Sequence, residues 1–280
     1  MPSEWRISKS WLADRDACII ELMVDEELEA DAARGHAEEL FAGLPVDINL
    51  VPYDYNAKSK RLLVADMEST IIEQELIDEL ADYTGLREKI SAITERAMRG
   101  ELDFEAALIE RVAMLAGLDA RVLDEVYDKR VTLMPGAETL IRTMKANGAY
   151  CALVSGGFTI FTERLAARLG FDEHQANVLE IEGGKVTGRV KEPILGRQAK
   201  RDALVRIAKK RRLALEDALA VGDGANDLDM IQAAGLGVAF RAKPKVQEAA
   251  RAMANGAVIN HGDLTALLYL QGYRRDEFVI

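Results

Sequence analysis

Two short acidic segments carry the chemistry of this sequence. Asp66-Met67-Glu68-Ser69-Thr70 sets two carboxylates two residues apart, directly after an apolar run. Gly222-Asp223-Gly224-Ala225-Asn226-Asp227 sets two more among glycines, again after an apolar run. Carboxylates beside buried strands are costly unless a cation neutralises them. Hard oxygen donors of this kind suit magnesium, which takes one or two carboxylates and completes its sphere with water and substrate oxygens. A carboxylate held in this way is also a competent nucleophile toward phosphorus. The plainer readings are a solvated loop at Asp66–Thr70 and a turn in which Asp227 caps the next helix.

Two further segments add to this pattern. Ser155-Gly156-Gly157 offers a hydroxyl and two residues whose backbone N–H groups can approach an anion closely, just before a helix. An ordinary strand-to-helix turn has the same composition. A cation is supplied by Arg197-Gln198-Ala199-Lys200-Arg201, and pattern alone does not separate Lys200 from Arg197 or Arg201. Nucleophile, proton carrier, cationic clamp and metal site are the parts that phosphoryl transfer requires.

These segments need a frame that brings them together. Leu62–Ala65, Ala149–Val154, Ala218–Val221, Leu236–Phe240 and Ala257–Asn260 are short, nearly continuous apolar runs, as expected of parallel strands covered on both faces. Helical stretches alternate with them: Ala137 to Asn147, Thr159 to Leu169 and Leu228 to Ala234 are each followed by glycine. The expectation is an α/β fold with a doubly wound parallel sheet, which binds ligands at the carboxyl ends of its strands. A mostly helical insert, about residues 74–133, follows the first core strand. Leu179–Ile181 and Lys185–Val190 read as a β-hairpin around Gly183-Gly184. Residues 1–57 read as a small separate α/β domain, with strands at Ala17–Val24 and Val46–Val51, a helix from Glu26 to Phe41 and a linker from Tyr53 to Arg61. Residues 58–280 then form the main domain.

The chain of 280 residues has a formal net charge of −11, which argues against nucleic acid as a partner. Lys209-Lys210-Arg211-Arg212 reads as a solvated helix end. Cys18 and Cys151 both lie in apolar runs and are expected to be buried thiols in a reducing compartment. No signal-like start and no long apolar stretch is visible, so a cytoplasmic protein without a membrane span is expected.

Jointly, the segments resemble phosphoserine phosphatases of the haloacid-dehalogenase-like (HAD) superfamily, over about residues 61 to 270. Those enzymes carry an Asp-x-Asp-Ser-Thr loop, a Ser-Gly-Gly-Phe turn, a lysine and a Gly-Asp-Gly-Ala-Asn-Asp loop. The matching residues here are Asp66–Thr70, Ser155–Phe158, Lys200 and Gly222–Asp227, and Thr94 through Phe104 looks like the family's cap segment. The resemblance implies hydrolysis of O-phosphoserine to serine and phosphate through an aspartyl phosphate, the last step of serine biosynthesis, with Mg2+ as cofactor. It implies Asp66 as nucleophile and Glu68 as the acid that protonates the leaving oxygen, then the base that activates water. Ser155, Gly156 and Lys200 would hold phosphoryl oxygens, with Asn226 nearby. Asp66, the backbone carbonyl of Glu68 and Asp223 would bind the metal, supported by Asp227. Glu75 and Arg111 match residues that read the amino and carboxylate ends of serine, and Met98 and Phe104 match an apolar lid. Without the resemblance, Glu75 and Arg111 read as helix surface, and Met98 and Phe104 as core.

The chain departs from the family at position 68, where glutamate replaces aspartate. A displacement of about 1 Å in a catalytic group can lower a rate roughly a hundredfold. Compensation by the loop is the favoured reading, with Glu68→Asp expected to keep turnover. Slow hydrolysis, or transfer of the phosphoryl group to another acceptor, are the alternatives. Three other readings stand beside phosphoserine hydrolysis. One is a phosphatase or phosphotransferase for another small phosphomonoester. Another is a phospho-ligand sensor or receiver-type protein, phosphorylated on aspartate as a signal. The last gives the acidic loops a purely structural role.

Overall fold

The computed structural model describes residues 6–23, 27–50 and 60–280. An antiparallel hairpin of β1 (Arg6–Ala13) and β2 (Ala17–Met23) precedes α1 (Glu27–Leu40). Next comes β3 (Leu62–Ala65), then four helices: α2 (Leu76–Asp82), α3 (Arg87–Met98), α4 (Phe104–Ala113) and α5 (Arg121–Arg130). The chain continues through α6 (Ala137–Ala146), β4 (Tyr150–Phe158), α7 (Thr159–Leu169), β5 (Glu173–Glu182), β6 (Lys185–Lys191) and α8 (Arg197–Arg211). It ends with β7 (Ala218–Gly222), α9 (Leu228–Ala233), β8 (Leu236–Phe240), α10 (Pro244–Arg251), β9 (Gly256–Ile259) and α11 (Ala266–Tyr269).

Seven strands form one sheet in the order β6-β5-β4-β3-β7-β8-β9. All neighbours pair parallel except β5 and β6. The expected doubly wound sheet, with a helical insert after its first strand, is what the chain forms. The period-two geometry of a strand sends alternate residues to opposite faces. Leu63, Ala65, Cys151 and Leu153 accordingly join one core with α6 and α7, and Leu62, Val64, Ala152 and Val154 join another with Ala203, Leu204 and Ile207 of α8. β3 and β7 lie side by side in the middle, so the loops after them meet at one point of the sheet edge.

Several sequence expectations need correction. β4 runs on through Ser155-Gly156-Gly157 to Phe158, so this motif is strand and not a turn after it. The hairpin's first strand starts at Glu173 instead of Leu179, because its first half pairs parallel with β4. Gly148 and Gly170 do take the left-handed φ of a helix stop, at 82° and 81°. Gly235 does not: a Cβ there would collide with the Glu216 backbone, so close approach requires this glycine. Lys209–Arg212 is an exposed helix end as expected. Cys151 is buried, and burial pushes its thiol up to about 12, but Cys18 is exposed on the hairpin.

In the N-terminal stretch, β1 is an element the sequence pattern did not suggest, and residues 46–50 form no strand; Val51 and the expected linker up to Ser59 lie outside the described residues. The alternation over 46–50 has another use. Asn49 donates through Nδ2 to Val258 O (3.0 Å) and accepts from Val258 N–H (2.7 Å), pairing with the edge strand β9 as a neighbouring strand would. Asp47 accepts backbone N–H groups of Asn260, His261 and Gly262 at 2.8, 2.9 and 2.9 Å. Among the described residues no helix is long and apolar enough to cross a membrane.

Candidate active site

Asp66 leaves β3 at its carboxyl end, and its N–H donates to Val221 O of β7 (3.0 Å). Its carboxylate accepts from Met67 N–H (2.7 Å) and pairs with Lys200 Nζ at 2.8 Å. Lys200 is buried in the first turn of α8 and also donates to Asp227 Oδ1 (2.6 Å). The other oxygen of Asp227 accepts from Gly224 N–H (3.0 Å), so this side chain serves the acidic loop and does not cap α9. Arg197 pairs with Asp229 at the surface and Arg201 is exposed, which leaves Lys200 as the cation of the site.

Asp223, just after β7, is buried, and its Oδ1 has no hydrogen-bond partner. Asp66, Asp223 and Asp227 each bring a carboxylate oxygen within 4.8 Å of the others. One lysine faces three buried acids. Burial, then the Asp227 charge, pushes Asp66 up to about 7 despite Lys200. Burial, then Glu75, drives Asp223 well above the carboxylate range. The orphaned Asp223 oxygen, the all-oxygen donor set and the excess negative charge fit a hard divalent cation.

Beside this cluster, Ser155 Oγ accepts from Gly157 N–H (2.9 Å), which leaves its own proton for a ligand. Asn226 is buried with an unpartnered Oδ1. Glu68 turns away from the acid cluster: Oε1 accepts from Leu76 N–H at the start of α2 (2.8 Å). Its Oε2 occupies space that a side chain at Gly157 would fill, 2.6 Å from where that Cβ would be. Burial, then repulsion from Glu75, holds the Glu68 carboxyl well above its ordinary range.

The insert closes over these groups. Glu75, at the N-terminus of α2, accepts from Ser69 Oγ (2.7 Å), and burial raises its pKa. Arg111 on α4 is buried, not on the helix surface; Nε donates to Ala107 O (3.1 Å) and Nη1 to Thr94 Oγ1 (2.9 Å). It makes no ion pair among the described residues, and burial lowers its pKa. The Met98 methyl and the Phe104 ring come against Gly224 and Gly156, each within 2.5 Å of where a Cβ would stand. Asp66, Glu68, Glu75, Met98, Phe104, Arg111, Gly156 and Asn226 thus line one cavity of about 30 Å³.

One buried residue has no counterpart among the sequence expectations. Asn177 donates to Gly156 O (2.8 Å) and accepts from Leu195 N–H (2.7 Å), tying β4 to the segment that enters α8. Asn177 lies in the half of β5 that precedes Leu179, so taking the strand to begin at Leu179 leaves it out of the sheet.

A mostly parallel sheet with an acid cluster at its strand ends, covered by a helical insert, defines a capped, doubly wound α/β protein with an acidic, cation-demanding site. The family model for haloacid dehalogenase-like hydrolase matches residues 63–232. A phosphoserine phosphatase of Streptomyces coelicolor is 48% identical over 236 residues, 84% of this chain and 56% of the relative. One of Archaeoglobus fulgidus is 45% identical over 82% of this chain and 67% of its own length. A solved structure described as a phospho-aspartyl intermediate analogue of phosphoserine phosphatase superposes with a TM-score of 0.71 at 40% identity, covering 76% of this chain and 99% of that one. The chain belongs to the haloacid dehalogenase-like hydrolases. It spans little more than half the length of the Streptomyces relative.

Proposed function

We propose that this chain is a Mg2+-dependent phosphoserine phosphatase that works through a phosphorylated Asp66. The observation that carries the reading is Arg111, a buried guanidinium without an ion pair among the described residues, in one cavity with Glu75 and the nucleophile Asp66. Such a pair suits the two ends of an amino acid whose phosphoryl group reaches the acidic cluster. The phosphoserine phosphatases among the relatives support the same substrate.

Asp66 attacks phosphorus; the new bond forms from its carboxylate oxygen as the bond to the serine oxygen breaks. Glu68, whose carboxyl is pushed above its ordinary range by burial and Glu75, gives its proton to that leaving oxygen. The resulting carboxylate then takes a proton from water attacking the acyl phosphate, and phosphate leaves with Asp66 restored. Lys200, the Ser155 hydroxyl and the Gly156 N–H hold phosphoryl oxygens. Mg2+ would be held by Asp66, Asp223 and the Glu68 carbonyl with Asp227 in support, and supplies charge neutralisation that lets an anion meet an anionic ester. Movement of α2–α5 would widen the narrow cavity beneath them for substrate entry.

The test is phosphate release from O-phosphoserine by purified protein, with Mg2+ and with EDTA. Release only with Mg2+ is expected. A higher kcat/KM for another phosphomonoester would point to a different substrate, and stable phosphorylation of Asp66 without turnover would point to a signalling role.

A further inference from the structure

We infer that Thr94 is the positioning residue that aims Arg111 at the substrate carboxylate, and that Asp78 supports it from behind. The inference rests on the phosphoserine reading above and deepens it.

A guanidinium only donates, so the Thr94 hydroxyl must accept from Arg111 Nη1 at 2.9 Å. The single proton of Thr94 then goes to Asp78 Oδ1 (2.9 Å) or to Ile90 O (3.1 Å). This one buried hydroxyl joins three helices of the insert: Asp78 on α2, Thr94 on α3 and Arg111 on α4.

The arrangement solves a specific difficulty. A buried arginine needs a compensating charge, yet a carboxylate paired directly with it would compete with the ligand. Glu68, Glu75 and Asp78 all face the guanidinium without pairing with it, and Asp78 is the one linked to it through the Thr94 hydroxyl. A hydroxyl that donates to a carboxylate is also a stronger acceptor for the guanidinium. With Nε fixed on Ala107 O and Nη1 on Thr94, the plane of the guanidinium is set, and Nη2 makes no hydrogen bond among the described residues. A planar fork fixed at two nitrogens is oriented before the ligand arrives, and such preorganisation raises affinity.

The experiment compares Thr94→Val, which keeps shape and removes the hydroxyl, with Thr94→Ser, which keeps the hydroxyl. The readouts are KM and kcat for phosphoserine, and the inhibition constant of inorganic phosphate, which has no carboxylate to read. Thr94→Val is expected to raise KM roughly tenfold or more, the weight of one hydrogen bond to a charged group. The phosphate inhibition constant should stay within about twofold, and Thr94→Ser should restore most of the KM by keeping that bond. Equal losses for phosphoserine and phosphate, or a Ser variant as poor as Val, would overturn the inference. If the Val protein does not fold, Asp78→Asn carries the test: KM must rise while phosphate inhibition holds. A wild-type protein inactive on phosphoserine would instead strike at the proposed function.

Discussion

On the sheet side of the cavity, the proposed functional groups stand in the last part of a strand, in the loop just after one, or in the first turn of a helix packed on the sheet. Asp66, Asp223, Asp227, Lys200 and Ser155 are buried, and most are tied to one another or to nearby backbone N–H groups. On the cap side, Glu75, Met98, Phe104 and Arg111 come from three separate helices and are held by Ser69, Thr94 and packing. The sheet side is therefore fixed before substrate arrives, while the cap side depends on how three helices settle. In the proposed mechanism chemistry belongs to the first and recognition to the second, so variants on the two sides should separate in kcat and KM.

The sharpest separation is expected from Asp66→Asn. Without the nucleophile, kcat should fall by roughly 10⁴-fold or more. Phosphoserine should still bind, as calorimetry would detect, because the cap is untouched. Substantial turnover by this variant would break the division, since the covalent step would then lie elsewhere.

Next in size is the response to the metal. In EDTA, Asp66 keeps its proton up to about pH 7 in the folded protein, whereas unfolded aspartate loses it near 4. The folded state binds more protons in that window, so this group's contribution is present below pH 4 and is lost as pH rises toward 7. Thermal stability of the metal-free protein should therefore fall over this range, and Asp66→Asn should flatten the slope. Mg2+ at a hundredfold excess over its dissociation constant should add about 2.7 kcal/mol at neutral pH. Asp223→Asn should lose that gain, and an unchanged Mg2+ shift in it would remove Asp223 from the metal site.

The same division marks what could be read from the sequence. The acids of the sheet side were legible because a short buried strand that ends in carboxylates demands a cation to neutralise them. Lys200 was not separable from Arg197 and Arg201 by motif, although it shares a helix face with Ala203, Leu204 and Ile207. Arg111 likewise shares a face with Ala107 and Leu108. A cation at an apolar position of a helix is the signal that would have found both, and it needs no family likeness. Asp47 and Asn49 were read as part of a strand at Val46–Val51, whereas their side chains pair with the backbone of β9 and the loop after it. Which polar residues turn inward is decided by tertiary contacts that local periodicity does not contain.

Glu68 belongs to both sides, since it leaves the sheet but rests on the cap through Leu76 N–H. That contact, with the space above Gly157, is where the longer side chain is accommodated. It reverses one expectation: Glu68→Asp, expected from the sequence to keep turnover, now withdraws the carboxylate from the Leu76 N–H. A fall in kcat of roughly ten- to a hundredfold follows from a displacement near 1 Å, with little change in KM. Wild-type kcat in this variant would mean that the cap contact plays no part in placing the proton.

The smallest effect tests the joint between the two sides. The Phe104 ring closes on Gly156, where an added Cβ would lie 2.5 Å from its Cζ. Phe104→Ala should raise KM by roughly fivefold, the loss of about 1 kcal/mol of apolar contact, and leave kcat nearly unchanged. Gly156→Ala keeps the N–H proposed to hold a phosphoryl oxygen but pushes the ring outward, so it too should raise KM. In the double variant no ring remains to be displaced, so the Gly156→Ala penalty should largely vanish, a coupling that a double-mutant cycle measures directly. Additive effects would mean that the alanine disturbs the phosphoryl site itself, and the lid would then not be the point where recognition meets chemistry.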